Sequence, residues 1–186
     1  SDVYKRQGTG FVEIARAALA MRPEPRAVEL RDVFLMHPFV VADDAERELR
    51  VVLERPSGDF VMVSRREGGE AGQWTEHVRG TAAFVEADSP VKHSIDDLRA
   101  RCHERTETFD GPPRPPHLRF GPRWGCLREV RFGHDEALAT LDLPEAFAAD
   151  LDVFHAHPAV LDLATGAAHA LIDGFDASED LSLIHI

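Results

Sequence analysis

One carboxylate, Asp162, lies within the almost entirely apolar or small-residue segment from Pro158 to Ile172. Apolar residues occupy every side of this segment, which predicts a helix buried all round, with Pro158 in its first turn. Burial disfavours a charged carboxylate and raises its pKa, which suits it to act as a general acid near neutral pH. The alternative is a structural carboxylate, at the helix surface or accepting N–H groups near the helix N-terminus.

Four histidines are the other candidates for chemistry. His155 and His157 have the spacing that puts two imidazoles on one face of a strand, but no carboxylate or cysteine lies near them, so we predict no metal site there. Instead, His157 or its neighbour is predicted to cap or position the start of the helix. His169 would lie about 10 Å from Asp162 along a continuous helix, too far for a hydrogen bond. His77 is predicted to lie on a solvated strand face.

Arginines cluster in the segment 114–131 of an otherwise acidic chain. This pattern is typical of a solvated strand face, or else of a local patch for an acidic partner or a phosphate. The same segment contains Gly121-Pro122, which predicts a bulge or bend that aims Trp124 inward, either into the core or into the wall of an apolar slot. The arginines are Arg114, Arg119, Arg123, Arg128 and Arg131.

The 186 residues carry 21 basic and 33 acidic side chains, a net charge of -12, which argues against a nucleic-acid or anionic-membrane surface. Two distant cysteines, Cys102 and Cys126, indicate neither a disulfide framework nor a thiolate zinc site. No apolar run is long enough to span a bilayer. We therefore expect a cytoplasmic protein.

The elements that must position these residues form an α+β pattern. A core-facing helix is predicted at 11–21, and a short helix at 95–103 capped by Ser94. A linker is predicted at the proline-rich segment 109–116. Strands are predicted at 28–41, 49–54, 59–65, 74–85, 118–132 and 137–143.

Four segments together carry a resemblance to a known family. They read, in chain order, GTGFVEIARAAL, SRREGGEAGQWTEHVRGTAAF, HLRFGPRWGCL and HPAVLDLATGAAHAL. Over residues 8–175 the chain resembles the dehydratase domain of modular type I polyketide synthases. The resemblance implies a double hotdog, in which two antiparallel sheets each wrap around a central helix.

On this basis we expect an N-terminal hotdog at 8–90, a linker at 91–117 and an incomplete C-terminal hotdog at 118–175. Residues 1–7 and 181–186 are expected to be non-native tails. The chain would then be a fragment truncated at both ends.

The resemblance also implies an activity. In the family, a 3-hydroxyacyl thioester on a carrier protein loses water to give a trans-2-enoyl thioester, using one histidine and one aspartate. Asp162 matches that catalytic aspartate. The segments around the substrate match at Phe120, Gly121, Pro122, Trp124, His157 and Pro158. The family's histidine motif would precede Gly8 and is absent here, so we expect this fragment alone to be inactive.

Two positions depart from the family pattern: Gly166 stands where a Gln or His usually follows the aspartate by four residues, and Phe120 replaces a Tyr. These departures favour one alternative, a non-catalytic dehydratase-like structural domain. A product-template type of double hotdog is a second alternative, and a hotdog thioesterase is a third.

The family implies an acyl carrier protein and neighbouring synthase domains as partners, with Arg119, Arg123 and Arg128 as candidate carrier contacts. A homodimer through the parent synthase is also consistent with the family, whereas no nucleic acid or membrane is expected. No cofactor or metal is implied, since the substrate is carried on the phosphopantetheine arm of the carrier protein.

Overall fold

The computed structural model describes residues 3–6, 8–21, 27–42, 46–66, 73–86, 89, 91–114 and 119–172. The chain divides into two compact units, Ser1–Ser89 and Pro90–Ile186. No helix in the described part is both long and apolar enough to cross a bilayer.

The first unit combines one helix with antiparallel strands. Its elements are β1 (Val3–Arg6), α1 (Gly8–Ala20), β2 (Ala27–Leu35), β3 (Phe39–Ala42), β4 (Arg47–Leu53), β5 (Asp59–Arg66) and β6 (Thr75–Val85). Four strands form a sheet in the order β2-β6-β5-β4, and β1 pairs separately with β3. The predicted helix and strands are confirmed, except that the run 28–41 is two strands. β1 lies within the segment expected to be a non-native tail.

The core of the first unit forms where α1 meets the sheet. Phe11, Ala15 and Leu19 recur every four residues along α1 and are all buried, as helical periodicity requires. They share one buried cluster with Phe60 and Met62 of β5. Burying a large apolar side chain contributes about 1.5–3 kcal/mol, so this cluster anchors the helix to the sheet.

His77, on β6, belongs to this core, and the prediction that it lies on a solvated face is wrong: its exposed fraction is 1%. Its Nδ1 lies 2.9 Å from the backbone oxygen of His37, and its Nε2 lies 2.7 Å from Oγ of Ser64. A carbonyl only accepts, so the hydrogen-bond pattern assigns the ring proton to Nδ1, while Nε2 accepts from the Ser64 hydroxyl. Both ring nitrogens are satisfied, which is why burial is tolerated.

The second unit is built on a three-stranded sheet. Its helices and strands are α2 (Ile95–Arg101), β7 (Arg105–Thr108), β8 (Leu127–Gly133), β9 (Glu136–Leu141) and α3 (Pro158–Gly166), with 3₁₀ segments at Pro122–Trp124, Glu145–Asp152 and His169–Leu171. The strands are antiparallel in the order β7-β8-β9. Ser94 caps α2, as predicted, by accepting a hydrogen bond from the backbone of Asp97 at 3.2 Å.

Two predictions about this unit need correction. The segment 91–117, predicted as a linker, contains α2 and β7 and therefore supplies part of the sheet; its residues 115–117 lie outside the described residues. The strand predicted at 118–132 begins only at Leu127, because Gly121-Pro122 opens a 3₁₀ turn instead. The other predicted strand is confirmed as β9.

Helix α3 is shorter and more exposed than predicted. It ends at Gly166, and Ala159 is its only fully buried residue among those described, whereas Ala164 and Thr165 are exposed. The helix lies against β8, β9 and the 3₁₀ turn Pro122–Trp124. The described sheet thus covers one side of α3, so the prediction of burial all round is wrong. The expected tail 181–186 lies outside the described residues.

Candidate active site

Asp162 lies in the second turn of α3, and its position follows from how the helix begins. His157 is the N-cap residue: its Nδ1 accepts a hydrogen bond from the backbone N–H of Val160 at 3.4 Å. Pro158 follows in the first turn, where its missing N–H costs nothing. The prediction that His157 caps the helix is confirmed, and this start places Asp162 on the side of α3 that faces the Pro122–Trp124 turn.

The carboxylate of Asp162 has one hydrogen-bond donor among the described side chains. The indole Nε1 of Trp124 donates to Oδ2 of Asp162 at 2.8 Å. Burial raises the pKa of Asp162 above its usual 3.8, and the bond from Trp124 opposes this by favouring the charged form. A partly buried carboxyl with a raised pKa can hold a proton closer to neutrality and give it up to a leaving group.

The 3₁₀ turn fixes the direction of Trp124. Gly121 is extended and its oxygen accepts from the backbone N–H of Trp124 at 3.0 Å, while Pro122 begins the turn. The ring of Phe120 packs on Trp124 with centroids 5.9 Å apart. The predicted bend therefore exists, and it aims Trp124 at a carboxylate. The assignment of Phe120, Gly121, Pro122 and Trp124 to substrate binding stays a prediction.

His157 faces away from solvent and has a second partner. Its side chain is buried, and its Nε2 lies 3.3 Å from Oδ2 of Asp150. Asp150 also accepts from Arg123, from Nε at 2.5 Å and from Nη2 at 3.3 Å. These bonds hold the pKa of Asp150 below its usual range, with the Arg123 bond the larger cause and His157 a smaller one. That His157 and Pro158 bind substrate also stays a prediction.

The arginines assigned to carrier-protein contact differ in their surroundings. Arg119 is exposed. Arg128 donates to the backbone oxygen of Asp142 at 3.1 Å, and Arg123 is committed to Asp150. Arg119 is therefore the most available of the three for a partner.

Gly166 and His169 lie next to each other where α3 ends. Because α3 ends at Gly166, His169 lies in a separate 3₁₀ segment, and the premise behind the 10 Å separation from Asp162 is wrong. A Cβ added at Gly166 would lie 3.5 Å from Cε1 of His169 and 3.8 Å from its Nδ1. The imidazole thus borders the space that a side chain at position 166 would enter.

The described positions of His155 and His157 do not favour a shared metal site. His155 is exposed while His157 is buried, so the two rings do not share a face. Among the described residues, no group of three or more His, Cys, Asp or Glu side chains is placed to hold a metal ion.

Two contacts of this site were not predicted from the sequence: Trp124 to Asp162 and Asp150 to His157. The first had a signal: a partly buried indole N–H needs an acceptor, and Asp162 is the one carboxylate in the apolar segment that follows. The second had none, because Asp150 lies in an ordinary acidic and alanine-rich stretch.

The two helix-and-sheet units, with an aspartate on the helix of the second, have the fold of the double-hotdog dehydratase domains. A trans-AT polyketide synthase dehydratase domain from Brevibacillus brevis superimposes with a TM-score of 0.72 at 22% identity, covering 94% of this chain and 64% of that one. The dehydratase domain of the CurF module of curacin synthase gives 0.75 at 20%, covering 95% and 65%. The predicted double hotdog is confirmed.

A third solved structure is an inactive mutant of the CurK dehydratase in which an aspartate is replaced by asparagine, with a TM-score of 0.74 at 21% identity, covering 95% of this chain and 64% of that one. At these identities the structures establish the fold alone.

Sequence comparisons point to the same kind of domain. Residues 116–182 match the family described as "Polyketide synthase dehydratase N-terminal domain". The polyketide synthase ThaG of Burkholderia thailandensis is 34% identical over 182 residues, and PksN of Bacillus subtilis is 24% identical over 178. These matches cover 88% and 91% of this chain but 3% of each synthase. In sequence and in fold, the chain is thus similar to polyketide synthase dehydratase domains.

Proposed function

We propose that this chain is part of a dehydratase domain that eliminates water from a 3-hydroxyacyl thioester on an acyl carrier protein, giving a trans-2-enoyl thioester. Asp162 is the proposed acid. The observation that carries the proposal is the partly buried carboxyl of Asp162, whose pKa is raised by burial and whose orientation is set by Trp124.

The proposed step balances with two proton transfers. A histidine supplied by the parent synthase removes the α-proton, the electron pair forms the new C=C bond, and the C–O bond at the β-carbon breaks. Asp162 gives its proton to the departing hydroxyl, which leaves as water. The adjacent thioester acidifies the α-proton, so we propose no metal or redox cofactor, and the substrate arrives on the phosphopantetheine arm.

The raised pKa is what suits Asp162 to this role. A carboxyl at its ordinary value is almost wholly ionised near neutral pH and has no proton to give. Burial increases the protonated fraction, while the Trp124 N–H keeps Oδ2 fixed and leaves Oδ1 for the leaving group. An aspartate-to-asparagine mutant of the related CurK dehydratase is inactive, which supports an acidic role for an aspartate in this family.

The experiment uses the dehydratase region of the parent synthase and a 3-hydroxyacyl carrier substrate, with loss of water followed by mass spectrometry. Asp162→Asn keeps the shape and removes the acid, so we expect turnover to be abolished. Asp152→Asn is the matched control, because Asp152 is exposed in a neighbouring 3₁₀ segment and its loss should leave turnover unchanged. Equal turnover of wild type and Asp162→Asn would overturn the proposal.

Gly166 and Phe120 depart from the pattern of the dehydratase family, and these departures favour a second function, a non-catalytic structural domain. If the wild-type region itself fails to dehydrate any acyl chain offered while remaining folded, the non-catalytic role is favoured instead. Turnover by the wild-type dehydratase region therefore distinguishes the catalytic function from the structural one.

For the carrier protein, we propose Arg119 as a contact, because it is exposed in an otherwise acidic chain and carrier proteins are acidic. Arg119→Glu should raise KM for the carrier-bound substrate and spare a small thioester mimic. Arg131→Glu is the control, since Arg131 pairs with Glu129 on β8. Parallel losses on both substrates would contradict the contact.

A further inference from the structure

Three side chains form a bridge that joins the Pro122–Trp124 turn to the start of α3; we call Arg123, Asp150 and His157 the helix bridge. Arg123 donates to Asp150 through two nitrogens, and Asp150 faces Nε2 of His157 at 3.3 Å. The bridge is well supported: the Arg123 guanidinium lies over the ring of Phe147 at 4.3 Å, and His157 packs edge-on against Phe154 at 5.6 Å.

The protonation of His157 follows from its two partners. Nδ1 accepts from the backbone N–H of Val160, so it carries no proton in this arrangement. Nε2 then carries the ring proton and donates a hydrogen bond to the carboxylate of Asp150. A neutral imidazole therefore serves both bonds, and the positive charge that balances Asp150 comes from Arg123.

The turn and the helix are thus joined at two places. Arg123 and Trp124 are consecutive residues of the same 3₁₀ turn. Arg123 reaches the N-cap of α3 through Asp150 and His157, while Trp124 reaches Asp162 directly. Two contacts with α3, separated by more than one helical turn, fix both the translation and the rotation of the helix against the turn, which one hydrogen bond cannot do.

We propose that the helix bridge is a positioning device for Asp162. It holds α3 in register with the turn so that Oδ2 of Asp162 stays on the indole of Trp124, and none of its three members touches substrate. The inference rests on the proposed function for its catalytic consequence. It also gives His157 and Arg123 a positioning role in place of the substrate and carrier contacts expected from the resemblance.

The variants separate bridging from capping. His157→Asn keeps a good N-cap, since asparagine accepts from the same backbone N–H groups, but its shorter side chain cannot reach Asp150. Asp150→Ala breaks the bridge and leaves the cap in place. Asp150→Asn retains an acceptor for His157 and should restore part of the function. Asp152→Asn, an exposed change in the same 3₁₀ segment as Asp150, is the control.

The first readout is independent of catalysis and uses the chain itself. We expect hydrogen exchange of the Trp124 indole N–H, followed by NMR, to quicken about 10-fold or more in Asp150→Ala and His157→Asn, because its acceptor is no longer held. The indole of Trp74, in the other unit, is the internal reference and should not change. Unchanged exchange at Trp124 in both variants overturns the inference, whatever the activity.

The second readout is turnover by the dehydratase region of the parent synthase. A small displacement of a catalytic group costs about 100-fold, so kcat should fall about 10- to 100-fold while KM stays within about 2-fold. The double variant Asp150→Ala/His157→Asn should be no worse than either single variant, since both break one bridge. Faster indole exchange with unchanged kcat also overturns the positioning role.

Failure of the proposed function has a different signature. If Asp162→Asn dehydrates as fast as wild type, Asp162 is not the acid, and the indole exchange still decides whether the bridge holds the Trp124–Asp162 pair.

Discussion

The hydrogen bond between Trp124 and Asp162 leads to a prediction that can be measured on the chain itself. Trp124→Phe keeps an aromatic ring and removes the N–H that donates at 2.8 Å. When Asp162 is ionised, its carboxylate accepts a charge-assisted hydrogen bond, which is worth about 1.5–3 kcal/mol. Because Asp162 is only partly buried, water replaces some of that bond, and we expect the lower end, about 1.5 kcal/mol.

The pH dependence isolates this bond from the loss of ring area. The bond favours the charged form, so its contribution is full above the folded-state pKa of Asp162 and shrinks as pH falls through that pKa. Once Asp162 is protonated, a neutral bond of about 0.5 kcal/mol remains. The cost of Trp124→Phe should therefore be about 1 kcal/mol smaller at about pH 3.5, below the ordinary value of 3.8, than at a pH well above the folded-state pKa of Asp162. The loss of buried ring area from Trp to Phe costs the same stability at both pH values.

Urea denaturation followed by circular dichroism, with hydrogen exchange of the β8 amides to report on the second unit, measures these differences. Asp162→Asn provides the matched background: without an ionisable acceptor, the cost of Trp124→Phe should not change with pH. A cost that is equal at both pH values in the wild-type background would refute the reasoning. So would a pH-dependent cost that persists in the asparagine background.

Three further substitutions test the packing. Gly58→Ala should lower the melting temperature more than Gly111→Ala. Both glycines have φ near +80°, which costs an L-residue about 1–2 kcal/mol, but only at Gly58 would the new Cβ overlap a backbone atom, the oxygen of Ala82. His77→Phe should cost about 1–3 kcal/mol in urea unfolding, because the buried Ser64 hydroxyl and the backbone oxygen of His37 lose their hydrogen bonds. An unchanged midpoint would contradict the assigned pairing. Gly166→Ala should stabilise by about 0.5–1 kcal/mol, since its Cβ meets His169 at ordinary contact distance, and a lower melting temperature would count against that geometry.

Local patterns predicted most of the fold. The four-residue spacing of Phe11, Ala15 and Leu19 predicts α1, Ser94 predicts the cap of α2, and His157-Pro158 predicts the start of α3, because each signal acts within one or two turns. The end of α3 at Gly166 and its exposed side were missed, since apolar composition does not state how much sheet is present to cover a helix.

The candidate site was predicted in part. Asp162 stands out in the sequence because a carboxylate within an apolar helix needs an explanation. Its bond to Trp124 depends on a contact across 38 positions, and the burial of His77 depends on partners on β5 and on the carbonyl of His37. Strand alternation predicts which face of the sheet a residue lies on. It does not predict whether a polar side chain finds a buried hydrogen-bond partner there, so these pairs can be seen only in the tertiary structure.

The strand order β2-β6-β5-β4 has a consequence for how the protein is made. β2 pairs with β6, from Ala27 opposite Val85 to Leu35 opposite Val78, so its partner is synthesised about 50 residues later. At about 5–20 residues per second, the nascent β2 waits a few seconds, whereas a hairpin such as β4-β5 closes in about 1–10 μs. During that interval β2 lacks the strand with which it pairs in the sheet. Translation speed through residues 36–85 thus sets how long β2 remains without its partner strand.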